Sequence, residues 1–193
     1  MRELTKKQVL EMAANHKLWL NKKGGERAVF INCALNDMDL SGNEIDFSRA
    51  DFSKSYLNWI IFSGTMQQTD FTNARLFNVS LKNCSLQQAT FDQARCQQVD
   101  FHGSYLRDTN FRTTKLQVCN FTGTNTTLCN LKIYQNGHWP AVIGPEYTTI
   151  GCHFHKNEEW KQFNDHQIRS LAYGALPYWN ANKAIISMIM DSF

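Results

Sequence analysis

The chain has 193 residues, enough for one domain with small flanking pieces, and a net charge of +3. With 42% apolar and 19% charged residues it can bury a core, which excludes a chain disordered by composition. The near-neutral balance excludes a strongly acidic protein, and no apolar run reaches the roughly 18 residues of a membrane span.

At the start, residues 4–20 (LTKKQVLEMAANHKLWL) predict a short amphipathic helix. Thr5 and Gln8 have the spacing of a capping box, Val9, Leu10, Met12 and Ala13 form an apolar face, and Gly24–Gly25 ends the element. No apolar stretch of secretory type follows the charges of MRELTKKQVLEM, so a cytoplasmic location is expected. Residues 1–27 carry seven basic and three acidic side chains, which makes this segment cationic.

The middle of the chain has a period of five. Stepping from Phe71 through Leu76, Leu81, Leu86, Phe91, Cys96 and onward to Leu131, eleven of thirteen positions are Phe or Leu. Those two types supply only 29 of the 193 residues, so the pattern is not accidental. Two places before each centre stands a small residue, from Thr69 and Ala74 to Thr124 and Cys129. Five fits neither a helix nor a flat strand. It fits a chain that turns a corner every five residues and points the small and the large residue inward. Asn73, Asn78, Asn83, Gly103 and Gly123 lie two places after the centres, where corners favour Asn or Gly. Regular backbone hydrogen bonding also explains why Pro140, Pro145 and Pro177 all lie beyond the repeats.

This unit resembles that of the pentapeptide repeat proteins, most strictly from Gly64 to Leu131. The resemblance implies a mainly β fold: a right-handed quadrilateral β-helix of twenty residues per coil. Phe47, Phe52, Leu57 and Phe62 keep the period, as do Leu35 and Leu40, with register slips between Phe62 and Met66 and near Asn43. Leu35 to Leu131 would make about five coils, a rod of about 24 Å at 4.8 Å per strand. Phe71, Phe91 and Phe111 should stack on one inner wall, and Leu81, Phe101 and Phe121 on another. The ends of such a rod need caps. The expected division is therefore 1–27 as an N-terminal helical cap, 28–132 as the β-helix, and 133–193 as a C-terminal strand and helix module.

After the repeats, a loop with Gly137, Pro140, Gly144 and Pro145 leads to a predicted strand, YTTIGCHF. Helical stretches follow around Glu158–Phe163 and Asp165–Leu176, and Pro177 opens a last helix. That helix is apolar on most sides. It either packs on the final coil or pairs with a second subunit to make a homodimer, for which Trp179, Ile185 and Ile189 are the candidate contacts.

Chemistry-bearing residues are sparse. Cys33, Cys84, Cys119 and Cys129 hold small inward positions and Cys96 a central one, so they read as buried thiols in a reducing compartment. Cys152, His153 and His155 have metal-ligand residue types, but their spacing lacks the paired pattern of a structural zinc site. No phosphate loop, dinucleotide fingerprint or nucleophile constellation is present, so neither an enzyme nor a cofactor or metal is expected. Arg75, Arg95 and Lys115 recur every twenty residues and should form one basic column. Charges about 5 Å apart in water repel by about 0.8 kcal/mol, so such a column is either a solvated face or a docking stripe for an acidic partner.

The flanking phrases HKLWLNKKGGERA and IGCHFHKNEEWKQFNDHQIRSLAYGAL resemble those of phage and prophage pentapeptide proteins. The resemblance implies a phage-encoded, non-enzymatic module that binds a bacterial host protein and inhibits or modulates it, with counter-defence as one form. Some members mimic DNA and bind a type II topoisomerase such as gyrase. That role suits an acidic rod, whereas only Asp37–Asp51 is acid-rich here. Direct nucleic-acid binding through the basic column is disfavoured, because the repeat aromatics point inward and leave few stacking platforms.

Overall fold

A computed structural model describes residues 1–42, 45–126 and 128–193. The chain opens with β1 (Arg2–Glu3) and α1 (Lys6–Leu20). A solenoid follows, one wall of which is formed by β2 (Cys33–Leu40), β3 (Tyr56–Phe62), β4 (Arg75–Phe77), β5 (Arg95–Gln97) and β6 (Lys115–Gln117). These strands pair in parallel and in chain order, with β1 added at the free edge of β2. The remaining faces are single bridges, such as Val29–Asp51–Asp70–Thr90–Asn110 and Asp46–Thr65–Ser85–Tyr105–Asn125. Five rungs on a face are joined by four steps, so the rod makes about four turns, fewer than the five expected from residue count. The four-residue step from Phe62 to Met66 is real, since Asp51 pairs with Asp70, whereas Asp70 pairs with Thr90. The slip expected near Asn43 lies outside the described residues.

Period five becomes a core because both inward positions are buried. Phe30, Phe52, Phe71, Phe91 and Phe111 form a ladder of stacked rings with centroids 4.4–5.3 Å apart. Phe30 keeps the period, five residues before Leu35 with Ala28 two places ahead of it. It begins the rod, its N–H donating to Asp51 O. Phe101 and Phe121 stack on a second wall at 4.8 Å and meet the first ladder edge-on. Such pairs each add about 0.5–1.5 kcal/mol beyond area burial. Where the small inward residue is Thr, its hydroxyl donates to a backbone carbonyl, one coil back from Thr109 Oγ1 to Leu86 O at 2.9 Å and Thr114 Oγ1 to Phe91 O at 2.7 Å, and within the coil from Thr124 Oγ1 to Phe121 O at 2.7 Å. Burial therefore strands no polar atom at these positions.

At most corners the residue two places after the centre has a left-handed backbone. Asn73, Asn78 and Asn83 have φ of 60°, 51° and 53°, and Gly103 and Gly123 of 67° and 69°. Val118 (54°) and Leu128 (59°) adopt the same conformation despite their bulk. Coil-to-coil bonds such as Phe71 N–H to Thr90 O and Phe91 N–H to Asn110 O, both 2.8 Å, account for the missing prolines.

The N-terminal segment closes one end. Thr5 and Gln8 form the expected capping box. Leu4, Val9 and Ala13 are buried against the first coil, while Leu10 is exposed, so the apolar face is rotated from the expected one. His16 completes it, fully buried, with Nε2–H donating to Ser48 O at 2.9 Å and Nδ1 accepting from Ala28 N–H at 3.1 Å.

At the other end, β7 (Lys132–Tyr134), β8 (Ala141–Ile143), β9 (Tyr147–Ile150) and β10 (His153–Lys156) form an antiparallel sheet in the order β10-β9-β8-β7. The single strand expected over YTTIGCHF is instead a hairpin. Gly151, with φ of 59°, and Cys152 turn the chain between β9 and β10. The expected loop before it contains β8. Three helices follow, α2 (Asn157–Gln162), α3 (Asp165–Leu171) and α4 (Ala175–Met190), with Pro177 in the first turn of α4, where it costs no hydrogen bond. Trp160, Ile168, Trp179, Ile186 and Met190 form a separate core with the sheet. Thr149 Oγ1–H donates to Leu116 O, and Val142 joins the rod core, so the module sits on the last coil.

Candidate functional site

The rod's outward charges divide into two groups. Acidic side chains mostly build corners: Asp46, Asp51, Asp70 and Asp100 each accept the N–H two residues on, from Ser48, Ser53, Thr72 and His102, at 2.8–2.9 Å. This Asx-type bond explains why acids precede the inward Phe residues. Asp51 and Asp100 also face Arg27 and Lys82. The acid-rich stretch Asp37–Asp51 thus contains residues with local structural roles.

Basic residues form the second group. Arg75 pairs in register with Arg95, and Arg95 with Lys115, so the three stand side by side on β4, β5 and β6 as expected. Their alternation with buried Leu76, Cys96 and Leu116 sends all three outward, and all are exposed. Among the described residues none of the three has an ion-pair partner. Neighbouring strands place them about 4.8 Å apart, where the like charges reinforce one another's pull on an anion.

The fold adds what spacing alone did not show. Hairpin β9–β10 lies against β6, and His153, Phe154 and His155 join Arg95, Gln97, Lys115 and Gln117 around an open groove of ≈ 480 Å³. A shallower hollow of ≈ 330 Å³ continues along Asn73, Arg75, Gln93 and Thr113 and shares Arg95 and Lys115. The basic column is therefore the common wall of one cationic trough. No sequence signal linked residues 153–155 to residues 95 and 115, because the contact depends on how the module sits on the last coil.

The cysteine and histidine cluster does not converge. Cys152 is exposed at the hairpin tip, and His155 Nδ1 lies 3.6 Å from Glu159 Oε2, with its ring edge-on to Trp160 and Phe163. Among the described residues no group of three His, Cys, Asp or Glu is arranged to hold a metal ion. All six cysteines are free thiols. Burial pushes Cys84, Cys119 and Cys129 up to about 12 and Cys96 well above its ordinary value, so these thiols stay protonated.

The proposed self-association contacts separate. Trp179 is 3% exposed and packs on Trp160 with ring centroids 5.4 Å apart, so it belongs to the module core. Ile189 is half-buried, whereas Ile185 is exposed and shares the outer face of α4 with Met188. Among the described residues no helix is long and apolar enough to cross a membrane.

Residues 65–93 and 94–132 match the family of pentapeptide repeats, with eight copies. No curated protein sequence matches the chain. Solved structures with a similar fold include a pentapeptide repeat protein from the Arabidopsis thaliana thylakoid lumen, with 24% identity and a TM-score of 0.39. That match covers 50% of this chain and 63% of the plant protein, so the chain spans less than two thirds of its length. Another is Rfr23 from the cyanobacterium Cyanothece 51142, with 16% identity, a TM-score of 0.34, and coverage of 62% of this chain and 97% of that one. QnrB1, a plasmid-mediated fluoroquinolone resistance protein, matches at 20% identity and a TM-score of 0.23, over 52% and 74% of the two chains.

Proposed function

Starting from a chain whose residues 65–132 are a pentapeptide-repeat array, we propose that it is a non-enzymatic binding module that docks an acidic protein surface along Arg75, Arg95 and Lys115. Its partner is a bacterial host protein, which it inhibits or modulates. The supporting observation is the set of three exposed cations in register without ion-pair partners, on a rod whose acids mostly serve corners or ion pairs. Charges left in this way speed encounter with an oppositely charged partner and set orientation. The rod is a rigid platform, because both inward positions of each repeat are locked in the core.

Tagged wild-type protein and the Arg75→Glu/Arg95→Glu/Lys115→Glu variant, used as baits in bacterial lysate, test this reading. A stoichiometric partner retained by the first, lost by the second and released by rising salt is the expected outcome. Equal retention by both baits would place docking elsewhere. Loss of binding to duplex DNA, in place of a protein, would transfer the column to nucleic-acid recognition.

A further inference from the structure

Beside the cationic trough, across the turn at Gly151–Cys152, lies a second depression. It is lined by Trp139, Trp160, Tyr178 and Trp179, together with Ala172 and Ala175. Two of its polar ring groups are already satisfied: Trp160 Nε1–H donates to Thr148 O at 2.9 Å and Tyr178 Oη–H to Trp139 O at 2.6 Å. The inner surface is thus apolar and aromatic. The absence of a side chain at Gly151 lets the Trp139 ring close over the turn, since a Cβ there would stand 3.0 Å from Trp139 Cδ1. The ≈ 50 Å³ open to the centre of a water molecule would hold about four waters at roughly 12 Å³ each, the bulk of one leucine-sized side chain. Cys152 and His153 line both the pocket and the trough, so the two share a wall.

Resting on the docking reading above, we propose that pocket and trough form one composite site for an extended acidic segment of the partner that carries a single aliphatic anchor. The anchor enters the tryptophan pocket while flanking carboxylates lie along Lys115, Arg95 and Arg75. Charge complementarity selects the occupant: a neutral apolar segment would leave the trough's cations unanswered, and a purely acidic one would leave the aromatic walls wet. Cys152, the exposed thiol at the shared wall, reports occupancy of both halves.

The probes are a synthetic heptapeptide of acidic residues with one central leucine and its twin with serine at the centre. The leucine peptide is expected to slow alkylation of Cys152 by iodoacetamide and to shift the module's tryptophan emission. Its serine twin should bind roughly tenfold to a hundredfold more weakly, the range expected for burying one aliphatic side chain. Ala172→Leu fills the pocket and should bring the leucine peptide down to the level of its twin, while Arg95→Glu/Lys115→Glu should weaken both. Tryptophan emission of the wild type separates the peptides even where the pocket-filling variant folds poorly. Equal affinity of the two peptides, lost in the charge variant, overturns the anchor and leaves the basic column standing. Binding by neither peptide, alongside a bait that retains its partner through the column, also overturns the composite site. Binding of the leucine peptide that Arg95→Glu/Lys115→Glu leaves at full strength overturns the docking reading itself.

Discussion

Phe91 sits inside the ring ladder, fully buried, with Phe71 stacked at 4.7 Å on one side and Phe111 at 4.9 Å on the other. Phe121 lies at the ladder's other wall with one stacked neighbour, Phe101 at 4.8 Å, and is 4% exposed. Both rings also make edge contacts. Phe91→Ala should therefore cost about 3–5 kcal/mol, from lost transfer energy and a cavity that the rigid ladder cannot collapse. Phe121→Ala should cost about 1 kcal/mol less, the value of one missing stacked pair within a range of roughly 0.5–1.5. Phe91→Leu keeps an apolar centre but removes two stacked pairs, and should cost about 1–3 kcal/mol. Against a total stability of roughly 5–15 kcal/mol these differences are large. Urea unfolding followed by both circular dichroism and tryptophan fluorescence measures them, with coincident curves required before a free energy is extracted. A cost for Phe91→Ala under about 2 kcal/mol, or one equal to that of Phe121→Ala, would refute the claim that the ladder contributes beyond simple burial.

His16 makes the docking of α1 sensitive to acid. Burial depresses its pKa below the ordinary 6.5, a shift opposed by Ser48 O and by the charge of Asp46 and reinforced by Arg27. The unfolded chain thus binds this proton more readily than the native one. Its contribution is complete above pH 6.5, declines as pH falls below that value, and levels off below the depressed native pKa. The urea midpoint should fall with acidification more steeply in the wild type than in His16→Gln, and parallel pH profiles would remove His16 as the cause. Iodoacetamide at pH 8 should modify Cys152 first and leave the buried thiols intact in the native protein, as peptide mass mapping would show; rapid reaction at Cys84 or Cys96 would contradict their burial. Finally, should a homodimer form through α4, Ile185→Glu/Met188→Glu should convert it to monomer in sedimentation without a change in thermal midpoint beyond about 2 °C, because both side chains are exposed. A dimer that persists in this variant uses another surface.

The rod was legible because each coil repeats one local problem. Two inward positions and one left-handed corner recur every five residues, and each leaves a compositional mark at Phe or Leu, at a small residue, and at Asn or Gly. Phe30 stands five residues before Leu35 and two after Ala28, so the same pattern reaches it one unit before Leu35, whereas β1 is two residues long and carries no periodicity. The C-terminal sheet was read as one strand since Gly151 and Cys152 interrupt YTTIGCHF without the Asn-Gly or Asp-Gly signal of a tight hairpin. Trp179 lies in the module core, which helical spacing alone did not show: α4 is apolar on most sides, and spacing does not say which side meets the module's own sheet. Of the site, the column Arg75–Arg95–Lys115 followed from the twenty-residue stack, whereas its proximity to His153 and His155 followed from nothing local.

The same contrast bears on the order in which the molecule assembles. Apart from the local corner bonds, each coil-to-coil bond of the rod closes a loop of about twenty residues, so coils can add one after another at a constant and modest entropic cost. The module is different: Tyr134 meets Asn182 across 48 residues and Lys132 meets Ser192 across 60, and α4 must arrive before either bond exists. Walls drawn from Trp139, Trp160 and Trp179 are therefore completed late, on a rod that is already formed, and are the first to open when stability is low. A chain emerging from the ribosome would expose its basic column well before the aromatic pocket beside it closes.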